Sequence, residues 1–129
     1  MKHVLIIVAS CLMLACKKSE SVSPGLFGKW ELRRQYGGFV GFDSTYKAGN
    51  GRIYQFNSDS TYQQFNKNNV VAAGVFHIQQ EQYEPGTTIT VIVFVNRTTG
   101  ERFSFSGTKL TIGADIDDGI ASDYEKIQN

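Results

Sequence analysis

Few residues in this chain have the types and spacing that chemistry needs. The stretch DIDDG sets Asp115, Asp117 and Asp118 before Gly119. Carboxylates so closely spaced bind calcium when a dedicated loop closes around the ion. A loop opening at Asp115 would need its glycine one residue later and a glutamate where Lys126 stands, so a solvated acidic turn is expected. His77 is the only histidine outside the extreme N-terminus, and both cysteines, Cys11 and Cys16, precede the tether. Zinc would therefore lack a second nitrogen or sulfur ligand, and no Gly-x-Ser-x-Gly elbow is present for a serine triad. Glu81 with Glu84, or Glu101 with Asp123, could be paired for glycoside hydrolysis, but no spacing selects either pair. The Gly-rich stretch from Gly37 to Gly51 lacks the Lys-Ser/Thr and following helix of a phosphate cradle. The expectation is a non-enzymatic chain without a metal.

The N-terminus differs in kind from the rest. Lys2 and His3 precede a nearly unbroken apolar run, Val4 to Ala15. It falls short of the roughly 20 residues a membrane-spanning helix needs, and its charged start and small-residue end describe a signal peptide. Its end, LMLAC, resembles a bacterial lipobox. The resemblance implies cleavage after Ala15 and a diacylglycerol thioether and N-acyl chain on Cys16, with no other cofactor. VASC offers Cys11 as a competing match, but it leaves an apolar run at the bottom of the usual range of about 7–15 residues. Cys16 is preferred, and no structural disulfide is expected.

The chain has 13 Lys+Arg and 12 Asp+Glu, and loss of residues 1–15 removes one lysine, Lys2, leaving equal charge. A balanced domain has no electrostatic case for nucleic acid. Membrane attachment would rest on the acyl chains, at about 0.8 kcal/mol per buried CH₂.

The elements that must position any site are strands. Lys17 to Gly25 is polar and aperiodic, a flexible tether; residues 16–26 are assigned to the lipidated cysteine and tether, and 27–129 to one domain. From Phe27 onward, short β-branched and aromatic runs alternate with turn signals. Eight candidate strands follow: KWELRRQY, RIYQFN, TYQQFN, VVAAGVFHIQQ, TTITVIVFVN, ERFSFSG, KLTIG and IASDYEKIQ. GFVGFDSTYKAGNG reads as a Gly-rich loop. No convincing helix interrupts them, and the pattern predicts an all-β, antiparallel up-and-down barrel of eight strands, closed by pairing the last with the first.

At GKW (Gly28, Lys29, Trp30) the chain resembles lipocalins, whose first strand opens with Gly-x-Trp. The order GKWEL, YQFNSDSTY, FSFSG and SDYEKI further resembles short lipocalin-like domains of bacterial lipoproteins, over about residues 26–129. The resemblance implies a tryptophan plugging one barrel end, with Lys126 or Arg34 packed on its ring. It also implies a lipoprotein of a diderm bacterial envelope, outer membrane or surface. DST occurs twice, at Asp43–Thr45 and Asp59–Thr61, and resembles a bacterial O-glycosylation acceptor.

Trp30 and eight further aromatics share the inward phase: Tyr36, Tyr54, Phe56, Tyr62, Phe76, Phe103, Phe105 and Tyr124. A barrel of eight strands is just wide enough to be filled by side chains or to hold one small ligand. So many rings favour a filled or narrow interior. If a cavity exists, they line it, and Arg34, Gln64 and Ser122 orient the ligand. Two functions are carried forward: binding a small apolar molecule, or a filled scaffold whose loops bind a protein or glycan.

Overall fold

Turn chemistry and side-chain alternation fix where each strand starts and stops. In the computed structural model, residues 23–97, 99–114 and 118–128 are described. Among them are one 3₁₀ turn, η1 (Pro24–Leu26), and nine strands: β1 (Gly28–Gly37), β2 (Phe42–Thr45), β3 (Arg52–Phe56), β4 (Thr61–Asn66), β5 (Asn69–Glu84), β6 (Thr87–Phe94), β7 (Glu101–Ser106), β8 (Lys109–Ile112) and β9 (Ile120–Ile127). The β3–β4 hairpin shows the local logic. Asp59 accepts hydrogen bonds from the Thr61 amide and hydroxyl, and Ser60 takes the left-handed conformation at φ 66°.

The pairings are antiparallel and follow chain order, and β9 returns to β1, closing an eight-strand barrel. The ninth strand arises within the stretch read as a loop. β2 pairs with the second half of β1 and β3 with the first half, on the same edge. One strand position is thus split by an excursion over residues 46–51. β5 is longer than the periodicity predicts. Asn69–Val75 pairs with β4 and Phe76–Glu84 with β6, so one continuous strand serves two neighbours in turn.

Alternation along each strand sends alternate side chains inward. Trp30, Phe56, Phe76, Phe94, Leu26, Ile92 and Leu110 are each under 2% exposed. The rings form a connected stack: Phe56 lies 5.0 Å from Phe76, Tyr54 5.6 Å from Phe56 and 5.7 Å from Phe94, and Tyr62 4.5 Å from Phe94. Tyr54 also meets Tyr124 edge-on at 5.4 Å. The middle of the barrel is packed with side chains. Among the described residues, the strand pairings and core cluster all lie between Leu26 and Ile127.

The tether is shorter than the sequence reading made it. Pro24 opens η1 and Leu26 is fully buried, so Pro24–Leu26 belongs to the barrel. An apolar residue beside the barrel end has more to gain inside than in water, about 1.5–3 kcal/mol for a leucine.

Trp30→Ala should destabilise the domain by about 3–5 kcal/mol in urea unfolding, because it removes the largest core side chain and leaves a cavity. A loss below about 1 kcal/mol would mean that the site collapses or that the ring is not buried.

Candidate functional site

The two barrel ends are built differently. At one end, η1 lies over Trp30, and the indole Nε1 donates to the Leu26 carbonyl at 2.7 Å. Phe105 meets the indole edge-on, with centroids 6.4 Å apart. Lys126 Nζ sits 5.3 Å from the indole centroid and donates to the Gly25 carbonyl at 2.8 Å. A desolvated tryptophan face under an ammonium adds a cation–π attraction to the hydrogen bond. This end is sealed.

Arg34 does not join that seal. β1 and β9 pair regularly from Lys29↔Ile127 to Leu32↔Tyr124, then skip Arg33 and resume at Arg34↔Asp123. One extra residue in a strand inverts the facing of all that follow. Arg34 and Tyr36 therefore emerge on the outer surface, stacked with the guanidinium 4.3 Å from the ring centroid. Arg34 is bound through two nitrogens to Asp43 at 3.0 and 2.9 Å. Tyr36, expected to line a cavity, does not. Gln35 takes the inward position instead, donating to Ser122 Oγ at 3.1 Å and accepting from the Tyr46 hydroxyl at 3.0 Å. The other aromatics nominated from the sequence face the interior: Tyr54, Phe56, Tyr62, Phe76, Phe103 and Tyr124 are buried, and Phe105 packs against them half-buried.

Glu31 is the residue that periodicity hides. It points away from the core yet is only 4% exposed, because the 46–51 excursion folds over it. Its carboxylate accepts from the Gly49 amide at 2.8 Å, the Gly51 amide at 3.2 Å and the Arg33 guanidinium. Burial alone would push its pKa up; Arg33 and the two amides outweigh it and hold the carboxyl below its ordinary value. Gly51 must be glycine: its φ is +76°, and a Cβ would meet the Lys67 backbone at 3.1 Å. The only sequence signal was GNG, which spacing alone reads as a generic turn.

Beyond this loop the barrel opens. A pocket of about 240 Å³ lies at the mouth, lined by Leu32, Gln35, Arg52, Tyr54, Gln64, Asn66 and Tyr124 among others. Arg52 faces Asn66 across β3–β4, and Tyr54 faces Gln64 on the next rung of the same face. Burial chiefly raises the Tyr54 and Tyr124 hydroxyls above the ordinary tyrosine range, so both remain neutral donors at neutral pH. Arg97, ion-paired with Glu101 and 5.0 Å from the Phe94 centroid, also approaches Tyr54.

The two most exposed of the large apolar side chains among the described residues stand at the same end. Phe39 is 88% and Val40 87% exposed on the turn joining β1 to β2. Exposed Phe42 and Ile120 flank them, and the Gly38 amide donates to the Gly119 carbonyl at 2.8 Å.

Other sequence candidates do not assemble. His77 is exposed and contacts Gln79. No group of three or more His, Cys, Asp and Glu able to hold a metal occurs among the described residues. Cys11, Cys16 and most of DIDDG lie outside them. No protein-family description, curated protein or solved structure matches the chain.

Glu31→Ala should cost about 1–3 kcal/mol near neutral pH by leaving buried amides unsatisfied. A carboxyl with a depressed folded-state pKa stabilises fully above its unfolded value, and the contribution fades as pH falls through the folded one. Thermal melts of wild type and variant should therefore converge below about pH 4.5. A gap independent of pH would show that the charge is not what holds the loop.

Proposed function

We propose that this chain is a lipid-anchored protein of the bacterial cell envelope, acylated on Cys16, whose barrel is a non-catalytic scaffold presenting its mouth end to a protein partner. The supporting observation is the contrast between ends. The chain enters the barrel through the sealed end, at η1, so a lipid anchor upstream would hold that end toward the membrane. The opposite end carries Phe39, Val40, Phe42 and Ile120 exposed together. Isolated exposed apolar residues are ordinary, but several gathered on one tip mark an interaction surface.

An apolar ligand inside the lumen, the other function open to the sequence, would have to displace rings already in contact around Tyr54. Within the barrel that leaves the mouth for a small ligand, and the loops around it present a surface for docking.

Two measurements test the proposal. Metabolic labelling with an alkyne fatty acid should mark the wild type and Cys11→Ala, and should be lost in Cys16→Ala. A photo-crosslinking amino acid in place of Phe39 should give a discrete protein adduct in cells, whereas one in place of Val95, also exposed, should give none. Equal labelling of Cys16→Ala would refute the anchor, and identical adduct patterns from the two positions would refute the docking end.

A further inference from the structure

The mouth pocket has a chemistry that its docking loops do not explain. Arg52 and Asn66 form one cross-strand rung and Tyr54 and Gln64 the next, so four polar side chains converge on one small patch of inner surface. Arg52 offers N–H donors alone, the Gln64 and Asn66 amides and the Tyr54 hydroxyl each offer a donor beside an acceptor, and no carboxylate lines the pocket. Arg33, Arg34 and Arg97 each hold a carboxylate partner. Arg52 instead rests its guanidinium 4.9 Å from the Tyr46 centroid, leaving its N–H edge unmatched by any acid among the described residues. Among the described residues, neither the Gln64 nor the Asn66 side-chain amide has a hydrogen-bond partner, whereas the Gln35 amide is held by Ser122 and Tyr46. On the wall, Leu32 is apolar and buried.

We propose that the barrel mouth binds a small carboxylate with a short apolar body, the oxyanion held by Arg52 together with the Gln64 and Asn66 amides and the body lying against Leu32. A planar guanidinium matches a carboxylate through two parallel N–H···O bonds, and a charged acceptor roughly doubles the strength of each. The neutral tyrosine hydroxyls at the pocket floor add donors without adding repulsion. At about 240 Å³ the pocket lies below the usual range for drug-sized ligands, about 300–1,000 Å³, and so selects a small acid. The carboxylate can belong to a free acid or to the C-terminus of a peptide. The site is separate from the proposed docking tip and does not depend on it.

The test uses the full chain, followed by amide NMR with sodium hexanoate as the probe and hexan-1-ol as its uncharged counterpart. Hexanoate should shift the amides of Arg52, Gln64 and Asn66 saturably, and hexan-1-ol should bind at least tenfold more weakly. Arg52→Gln should weaken hexanoate at least tenfold. Arg102→Gln removes the same charge from an arginine stacked on Tyr83, outside the mouth, and should leave the affinity unchanged. Gln64→Leu, which keeps the charge, should weaken binding severalfold, and thermal melts establish that each variant is folded. A short peptide ending in leucine, compared with its C-terminal amide, distinguishes the two sources: tighter binding of the free-acid peptide than of hexanoate assigns the site to a chain end, and weaker binding assigns it to a free acid. Equal affinity for hexan-1-ol, an Arg52→Gln variant that binds like wild type, an equal loss in Arg102→Gln, or no saturable shift with hexanoate overturns the proposal. Loss of the Phe39 crosslink in cells would leave this result untouched, so the two readings fail separately.

Discussion

The rest of this molecule depends on what β1 does along its two edges. It bonds to β9 on one side and, in succession, to β3 and β2 on the other. A sheet that ended at β1 would expose a row of unpaired amides and carbonyls and invite pairing with other chains; closure removes that edge. Closure also requires every inward side chain to fit a fixed width, and the ring stack around Tyr54 fills that width. β1 carries the bulge at Arg33 as well, and this single extra residue divides the strand into two regimes. Before it, Trp30 and Leu32 face the core; after it, Gln35 faces the mouth while Arg34 and Tyr36 face solvent.

That division explains what was legible in the sequence and what was not. Strands with plain alternation and a clear turn read correctly: Tyr54, Phe56 and Tyr62 are interior because RIYQFN and TYQQFN flank a turn that Asp59 specifies through its side chain. Closure was legible from eight antiparallel strands in chain order, which lose both edges if the last pairs with the first. Arg34 was misplaced because alternation was extended through KWELRRQY without a break, and a bulge leaves no reliable mark in composition. β2 was hidden because Phe42–Thr45 lies between glycines, and its pairing to β1 is a tertiary fact. Alternation in KWELRRQY sets Glu31 on the face opposite Trp30 and Leu32. The residue is outward, yet buried, because a loop fifteen or more positions later closes over it. Long-range cover of this kind is invisible to periodicity.

The mouth follows from the same constraints. The sealed end uses its polar groups internally: the indole N–H, the Lys126 ammonium and the Leu26 and Gly25 carbonyls are paired with one another. At the open end, Gln35, Ser122 and Tyr46 satisfy one another, and Arg97 holds Glu101. Among the described residues lining the mouth, Arg52, Gln64 and Asn66 are left without an acid or side-chain hydrogen-bond partner, and they sit together because β3 and β4 pair in that register. A packed interior with an unfinished rim places recognition at the rim and its loops.

The most direct test of this account is amide hydrogen exchange along the β1–β9 seam, read by NMR on the folded domain. If the barrel is closed, the amides bonded across residues 29–32 and 124–127 exchange as slowly as those of the β3–β4 core, while the Phe39 and Val40 amides of the β1–β2 turn exchange far faster. Seam amides exchanging at the rate of that turn would mean an open sheet. The packed interior, the sealed end and the division of β1 at Arg33 would then lose their common basis.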